Sequence, residues 1–80
     1  MPQAILRLPA VKAATGLSRS TLYLRILHGV FTHPVSLGGR AVGWPAHEVA
    51  VLNAARIAGM TDAQIRVLVA QLEAARKAVA

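Results

Sequence analysis

A Gly16-Leu17-Ser18 turn between two short helical segments, a Gly38-Gly39 link between two extended stretches, and a capped amphipathic run at the C-terminus together predict the fold class. It is mainly α: a winged helix-turn-helix with a small two-stranded hairpin and an added C-terminal helix. Gly16 can take the left-handed conformation that closes a helix, and Leu17 can then drop between the two helices. Glycines at 38 and 39 permit the positive φ angles of a tight hairpin, and a hairpin after a helix-turn-helix is a wing. Residues 1–59 are expected to form the winged domain, and residues 60–80 a helix that packs on it or serves self-association.

Taken in order, residues 4–8 read as a short extended lead-in able to pair with the wing. Pro9 suits a first helical turn, where its missing donor would have been unpaired anyway, so helix one runs from about Pro9 to Thr15 with Val11 and Ala14 inward. Ser18 caps helix two, which ends near Gly29. Leu22 and Ile26, four apart, face inward with Arg25 beside them; the opposite face carries Ser20, Leu24 and Leu27, with Thr21 and Tyr23 on its two sides. Two leucines on such a face have two explanations. In one, Leu27 packs under the wing and Leu24 touches a thymine methyl group or nothing; in the other, both contact protein.

In the wing, a Gly38-Gly39 turn sets Leu37 opposite Arg40, Val35 opposite Val42 and His33 opposite Trp44. Pro34 can sit at a strand start, and Gly43 before Trp44 suggests a bend or a close backbone approach. Pro45 opens helix three, with Glu48 in its first turn, Val49 and Leu52 inward and Gly59 at its end. Thr61-Asp62-Ala63-Gln64 is a capping-box pattern that starts helix four. Its stripe, Ile65, Leu68, Val69, Leu72 and Val79 with Ala75 between, is longer than so small a domain easily covers. The stripe folds back on helix three or pairs with another chain.

Eighty residues make one domain, near the lower size for a self-sufficient core, and without cysteine no sulfur staple is available. Of the 55% hydrophobic residues 16 are alanines, which bury little area each, so the core is thin. Nine Lys and Arg against three acids give a net charge of +6. Arg7, Lys12, Arg19, Arg25 and Arg40 lie in a stretch with no acid, whereas residues 61–80 contribute +1. This distribution points to a polyanionic partner for the helix-turn-helix and wing, which we read as double-stranded DNA; a merely solvated basic face is the alternative. The N-terminus lacks a charged stretch leading into an apolar run, and no segment approaches the ~20 apolar residues of a bilayer span, so a cytoplasmic protein with no membrane partner is expected.

The side chains suited to phosphates and base edges are Ser18, Arg19, Ser20, Thr21 and Tyr23 on helix two, joined by Lys12, Arg25 and Arg40. Leu24, Leu27, Ile65, Leu68, Val69 and Leu72 are the apolar candidates for self-association, head-to-tail or two-fold. His28, His33 and His47 match no common ligand spacing, and Glu48, Asp62 and Glu73 each have a structural place, leaving no acid pair for hydrolysis. Ser18 and Ser20 lack companion Asp and His residues, and Gly38-Gly39 lacks the Lys-Ser/Thr of a phosphate loop. No catalytic residue, metal or cofactor is expected, and the chain is not read as an enzyme.

At Arg7-Leu-Pro-Ala-Val, Thr15-Gly-Leu-Ser-Arg-Ser-Thr-Leu-Tyr23, Pro34-Val-Ser-Leu-Gly-Gly-Arg-Ala-Val-Gly-Trp44 and Glu48-Val49, the sequence resembles the AlpA family of phage and mobile-element regulators. The resemblance covers about residues 5–58. It implies a small winged helix-turn-helix protein of the MerR and excisionase type, which activates transcription of excision genes or acts itself as an excisionase (recombination directionality factor) directing a tyrosine recombinase. By position, Arg19, Ser20 and Tyr23 match the family's recognition helix and Arg40 its wing arginine. Leu24 stands where the family often has a basic or polar residue, and His33 where lysine is common. The competing function is a protein-interaction module that binds a partner through helical apolar surfaces.

Overall fold

The structure, a computed structural model, describes the backbone of residues 4–79 and the side chains of residues 4–77. The elements run β1 (Ile5–Leu6), α1 (Leu8–Thr15), α2 (Arg19–Leu27), β2 (Val35–Gly38), β3 (Ala41–Pro45), α3 (Ala46–Ile57), α4 (Asp62–Ala75) and a closing 3₁₀ turn (Arg76–Val79). This is the mainly α winged architecture expected, with one strand more.

α1 places Pro9 in its first turn and stops at Gly16, whose φ of 73° lets its N–H reach back to the Lys12 carbonyl at 2.8 Å. Val11 is buried, but Ala14, expected beside it, is exposed. The Ala14 backbone is used instead: its carbonyl accepts a 2.9 Å hydrogen bond from Asn53 Nδ2, tying the end of α1 to α3. Ser18 caps α2 by accepting from the Thr21 N–H at 3.2 Å, and Leu22 and Ile26 form the buried seam. Leu17 packs half-buried against the core between the two helices.

The lead-in forms a third strand. β1 pairs antiparallel with β3, which also pairs with β2, giving the order β1-β3-β2, and the Ala46 N–H extends the first ladder to the Ala4 carbonyl at 2.8 Å. Gly43 makes the predicted close approach. A Cβ on it would lie 2.5 Å from Ile5 Cγ2 and 3.0 Å from the Leu6 carbonyl oxygen, so β1 and β3 can meet here only over a residue without a side chain.

The wing register differs from the expected one. Val35 pairs with Gly43, Ser36 with Val42 and Gly38 with Ala41, with an irregularity between Ser36 and Gly38. Leu37 is the extra residue of this bulge, and the tight link is Gly39-Arg40 rather than Gly38-Gly39, with Gly38 at φ 105° and Gly39 at φ 55°. Arg40 therefore stands in the turn itself. His33 does not face Trp44; Trp44 pairs with Leu6, and its indole Nε1 donates to the Thr32 carbonyl at 3.0 Å.

α3 buries Val49, Leu52 and Ala55, and α4 starts with the full capping box, Thr61 Oγ1 accepting from the Gln64 N–H and Gln64 Oε1 from the Thr61 N–H. Ile65 and Val69 of α4, 1% and 5% exposed, join Val11, Leu22, Ile26, Val30, Phe31, Trp44, Val49, Leu52 and Ala55 in one core, with Leu68 and Leu72 half-buried against it. The stripe thus folds back on its own chain; the Val79 side chain lies outside the described residues. Charge fastens the far end of α4. Arg76 donates to both oxygens of Glu48, at 2.7 and 2.9 Å, and to the His33 carbonyl at 2.6 Å, while Glu73 accepts from the His33 N–H at 2.7 Å and meets its ring Nδ1 at 2.9 Å. This ties the end of α4 to the start of α3 and to the segment entering the wing. Among the described residues no helix is long and apolar enough to cross a membrane.

Candidate nucleic-acid interface

With Leu22 and Ile26 committed to the core, the helical repeat divides the rest of α2 into an outer face and two flanks. On one flank Tyr23 sets its ring against Trp44, 6.3 Å between centroids at 69°, an edge-on contact that seats α2 on β3. The Arg19 guanidinium carbon lies 5.4 Å from the centre of the Tyr23 ring. Such a cation over an aromatic face is steered without being neutralised, so it remains available to an anion. Ser20 completes a shallow depression lined by Arg19, Ser20 and Tyr23. These are the three helix positions matched to the family pattern, and the fold brings them together.

The remaining residues of the expected set are placed less uniformly. The Ser18 and Thr21 hydroxyls bond to each other at 3.0 Å as part of the cap, although both residues are exposed. Lys12 is exposed on α1, and Arg40 is exposed at the wing turn. Arg25 is half-buried on the opposite flank of α2, in a cleft shared with α3.

Two expectations about apolar residues are corrected. Leu27 is 78% exposed and does not pack under the wing, because it lies about 140° around the helix from Leu22. Leu24, 50% exposed, shares that open face. Ile65 and Val69 fill the chain's own core and are closed to self-association, and Leu68 and Leu72 lean on that core. The exposed Ile57 and Val67 were not singled out from sequence; Val67 lies off the periodic stripe that marks α4 as amphipathic.

The acids decide the electrostatics. All three are engaged: Glu48 by Arg76, Asp62 by Arg56 at 3.0 Å, and Glu73 by His33. Burial raises the Glu73 carboxyl, but hydrogen bonds from the His33 backbone and ring, with the charges of His33 and Arg76, outweigh it and hold the group below its ordinary value. The bond to Glu48 raises Arg76, against the cost of burial. None of these acids pairs with Arg7, Lys12, Arg19, Arg25 or Arg40. Sequence reasoning missed the Arg76 clasp. The signal was Glu48 itself, four residues before the buried Leu52 and beside Val49, a place where an acid needs a cation.

Among the described residues no group of three or more His, Cys, Asp or Glu side chains is placed to hold a metal ion. Arg19, Ser20 and Tyr23 bring one cation and two hydroxyls together in a depression that no acid lines, which suits binding an anionic polymer.

An uncharacterized protein, ORF88, of Enterobacteria phage P4 is 49% identical over 57 residues, covering 71% of this chain and 65% of the phage protein. The matched region thus spans just under two thirds of that relative's length. No solved structure matches. The sequence profile of the family described as prophage CP4-57 regulatory protein (AlpA) matches residues 4–51, from β1 through the helix-turn-helix and wing into α3, leaving α4 outside. The chain belongs to the AlpA family of prophage regulatory proteins.

Proposed function

We propose that this chain is a sequence-specific DNA-binding protein of a mobile element, acting without chemistry of its own as an excisionase, as a transcriptional activator of excision genes, or as both. The observation that carries the reading is the acid-free face on which Arg19, Ser20 and Tyr23 meet, with Arg40 exposed at the wing turn. α2 enters the major groove, where Arg19, Ser20 and Tyr23 reach base edges. Arg40 contacts a phosphate or enters the adjacent minor groove. Lys12, Ser18 and Thr21 add backbone contacts that set position rather than sequence, whereas Arg25 lies on the other flank of α2. One such module covers about 600–1,000 Å², a small footprint for a genomic site, so several copies act on adjacent sites, with Leu24 and Leu27 as the apolar contact between neighbours. A tyrosine recombinase is the partner in the excisionase role.

Footprinting on DNA from the element's own neighbourhood tests this. A protected array beside a recombinase attachment site supports excision, protection upstream of a promoter supports activation, and no protection at either refutes both. A salt titration separates the reading from a protein-interaction module, which the exposure of Leu27 also suits. DNA binding weakens with a log-log slope near −0.9 per phosphate contact, and Arg40→Ala lowers that slope by about one unit; an apolar protein contact barely responds.

A further inference from the structure

The flank of α2 away from Tyr23 carries a second surface. Arg25, with Leu17, Val30 and Phe31 from the segments bounding α2 and Leu52 and Arg56 from α3, lines a cleft of about 250 Å³. Its buried lining is apolar, Val30, Phe31 and Leu52, with Leu17 half-buried beside the half-buried polar residues Thr15 and Asn53. Its outer part is cationic, and no acid lines it. The volume falls below the roughly 300–1,000 Å³ of clefts that enclose a drug-sized ligand, and suits one large side chain.

We propose that this cleft docks an acidic segment of a partner protein, which inserts one aromatic or large aliphatic side chain while flanking carboxylates meet Arg25 and Arg56. Charge complementarity selects that occupant. Among the described residues Arg25 forms no ion pair, and the Arg56–Asp62 pair is exposed, so an incoming carboxylate competes with it on equal terms. A second copy of this chain fits poorly, because its three acids are held by Arg76, Arg56 and His33. A DNA phosphate answers the arginines but leaves the apolar lining without a contact. The proposal goes beyond DNA binding and does not rest on it: it gives the regulator a face for a protein partner on the other flank of the same helix.

The test is a titration of the ¹⁵N-labelled full chain with a capped peptide, Gly-Glu-Glu-Phe-Glu-Glu-Gly, followed by amide chemical shifts. The expected changes concentrate at Leu17, Val30 and Phe31. Affinity should fall at least tenfold when the peptide's Phe is replaced by Ala, when its Glu residues are replaced by Gln, and in the Arg56→Gln protein. Arg56 is exposed, and its variant should keep the parent's melting temperature and duplex affinity. Shifts spread over the start of α2 and the wing turn, equal for the Phe and Ala peptides, would overturn the proposal by reducing it to charge attraction. No shift at millimolar peptide would overturn it too, as would a DNA duplex that moves these amides when the peptide does not.

Discussion

Replacing Arg76 by methionine keeps most of the side-chain length and removes the charge that answers Glu48. Glu48 is 0% exposed and accepts two charged hydrogen bonds from Arg76, at 2.7 and 2.9 Å. Removing one partner of a buried pair costs about 3–5 kcal/mol, since the remaining charge is left without solvent or counterion. The Arg76 side chain is 22% exposed, so water can partly fill the gap, and the lower end, about 3 kcal/mol, is expected. A domain of this length has roughly 4–12 kcal/mol of stability in all, so the loss is a large share. At about 4–8 °C per kcal/mol, the melting temperature should fall by ~12–24 °C. Urea and thermal unfolding followed by far-UV circular dichroism at neutral pH measure both quantities. The double variant Glu48→Leu/Arg76→Met, with no charge left to bury, should recover to within about 1 kcal/mol of the parent or exceed it. A single variant within about 0.5 kcal/mol of the parent would refute the reasoning, as would a double variant no more stable than the single.

Glu73→Gln should flatten the acid limb of the stability profile. The folded Glu73 carboxyl lies below its ordinary value of 4.5, so the unfolded chain binds the proton more readily; the stabilisation is present above that value and lost as pH falls through the folded pKa, as urea midpoints across the acid range will show. Arg19→Ala and Tyr23→Ala should each reduce the preference for the specific site by roughly 1–3 kcal/mol, read by gel shift on specific and random duplexes; equal losses on both would make the contacts phosphate contacts. Gly43→Ala should cost about 1–3 kcal/mol by overpacking against Ile5 and Leu6, and should speed hydrogen exchange of the Ala46 amide that bonds the Ala4 carbonyl. Unchanged exchange there would contradict the close packing of β1 on β3.

Local chemistry was legible wherever one residue type solves one backbone problem. Gly16 ends α1 at positive φ, Ser18 and Thr61 cap their helices, and Gly43 marks the close approach, all as read from the chain. The inward pair Leu22 and Ile26 follows from a four-residue spacing. The wing register did not follow, because two adjacent glycines allow more than one tight turn and the bulge at Leu37 selects between them. Periodicity showed that α4 has an apolar stripe but could not say what covers it; that depends on α3 and on a clasp between residues 28 apart. Of the site, Arg19, Ser20 and Tyr23 were readable as neighbours on a helix, whereas the Tyr23–Trp44 contact needs the sheet to be in place.

The pairing of every acid has a kinetic consequence. Glu48, Asp62 and Glu73 are matched to Arg76, Arg56 and His33, which leaves the acid-free stretch from Arg7 to Arg40 with five cations that no acid pairs. On the proposed DNA-binding reading, this excess of unpaired positive charge steers the chain toward the polyanion. Fields of this kind raise association rates by about 10–10³. The effect shortens with the Debye length, about 8 Å at physiological salt, so added salt slows arrival most, while release depends on the contacts made after landing.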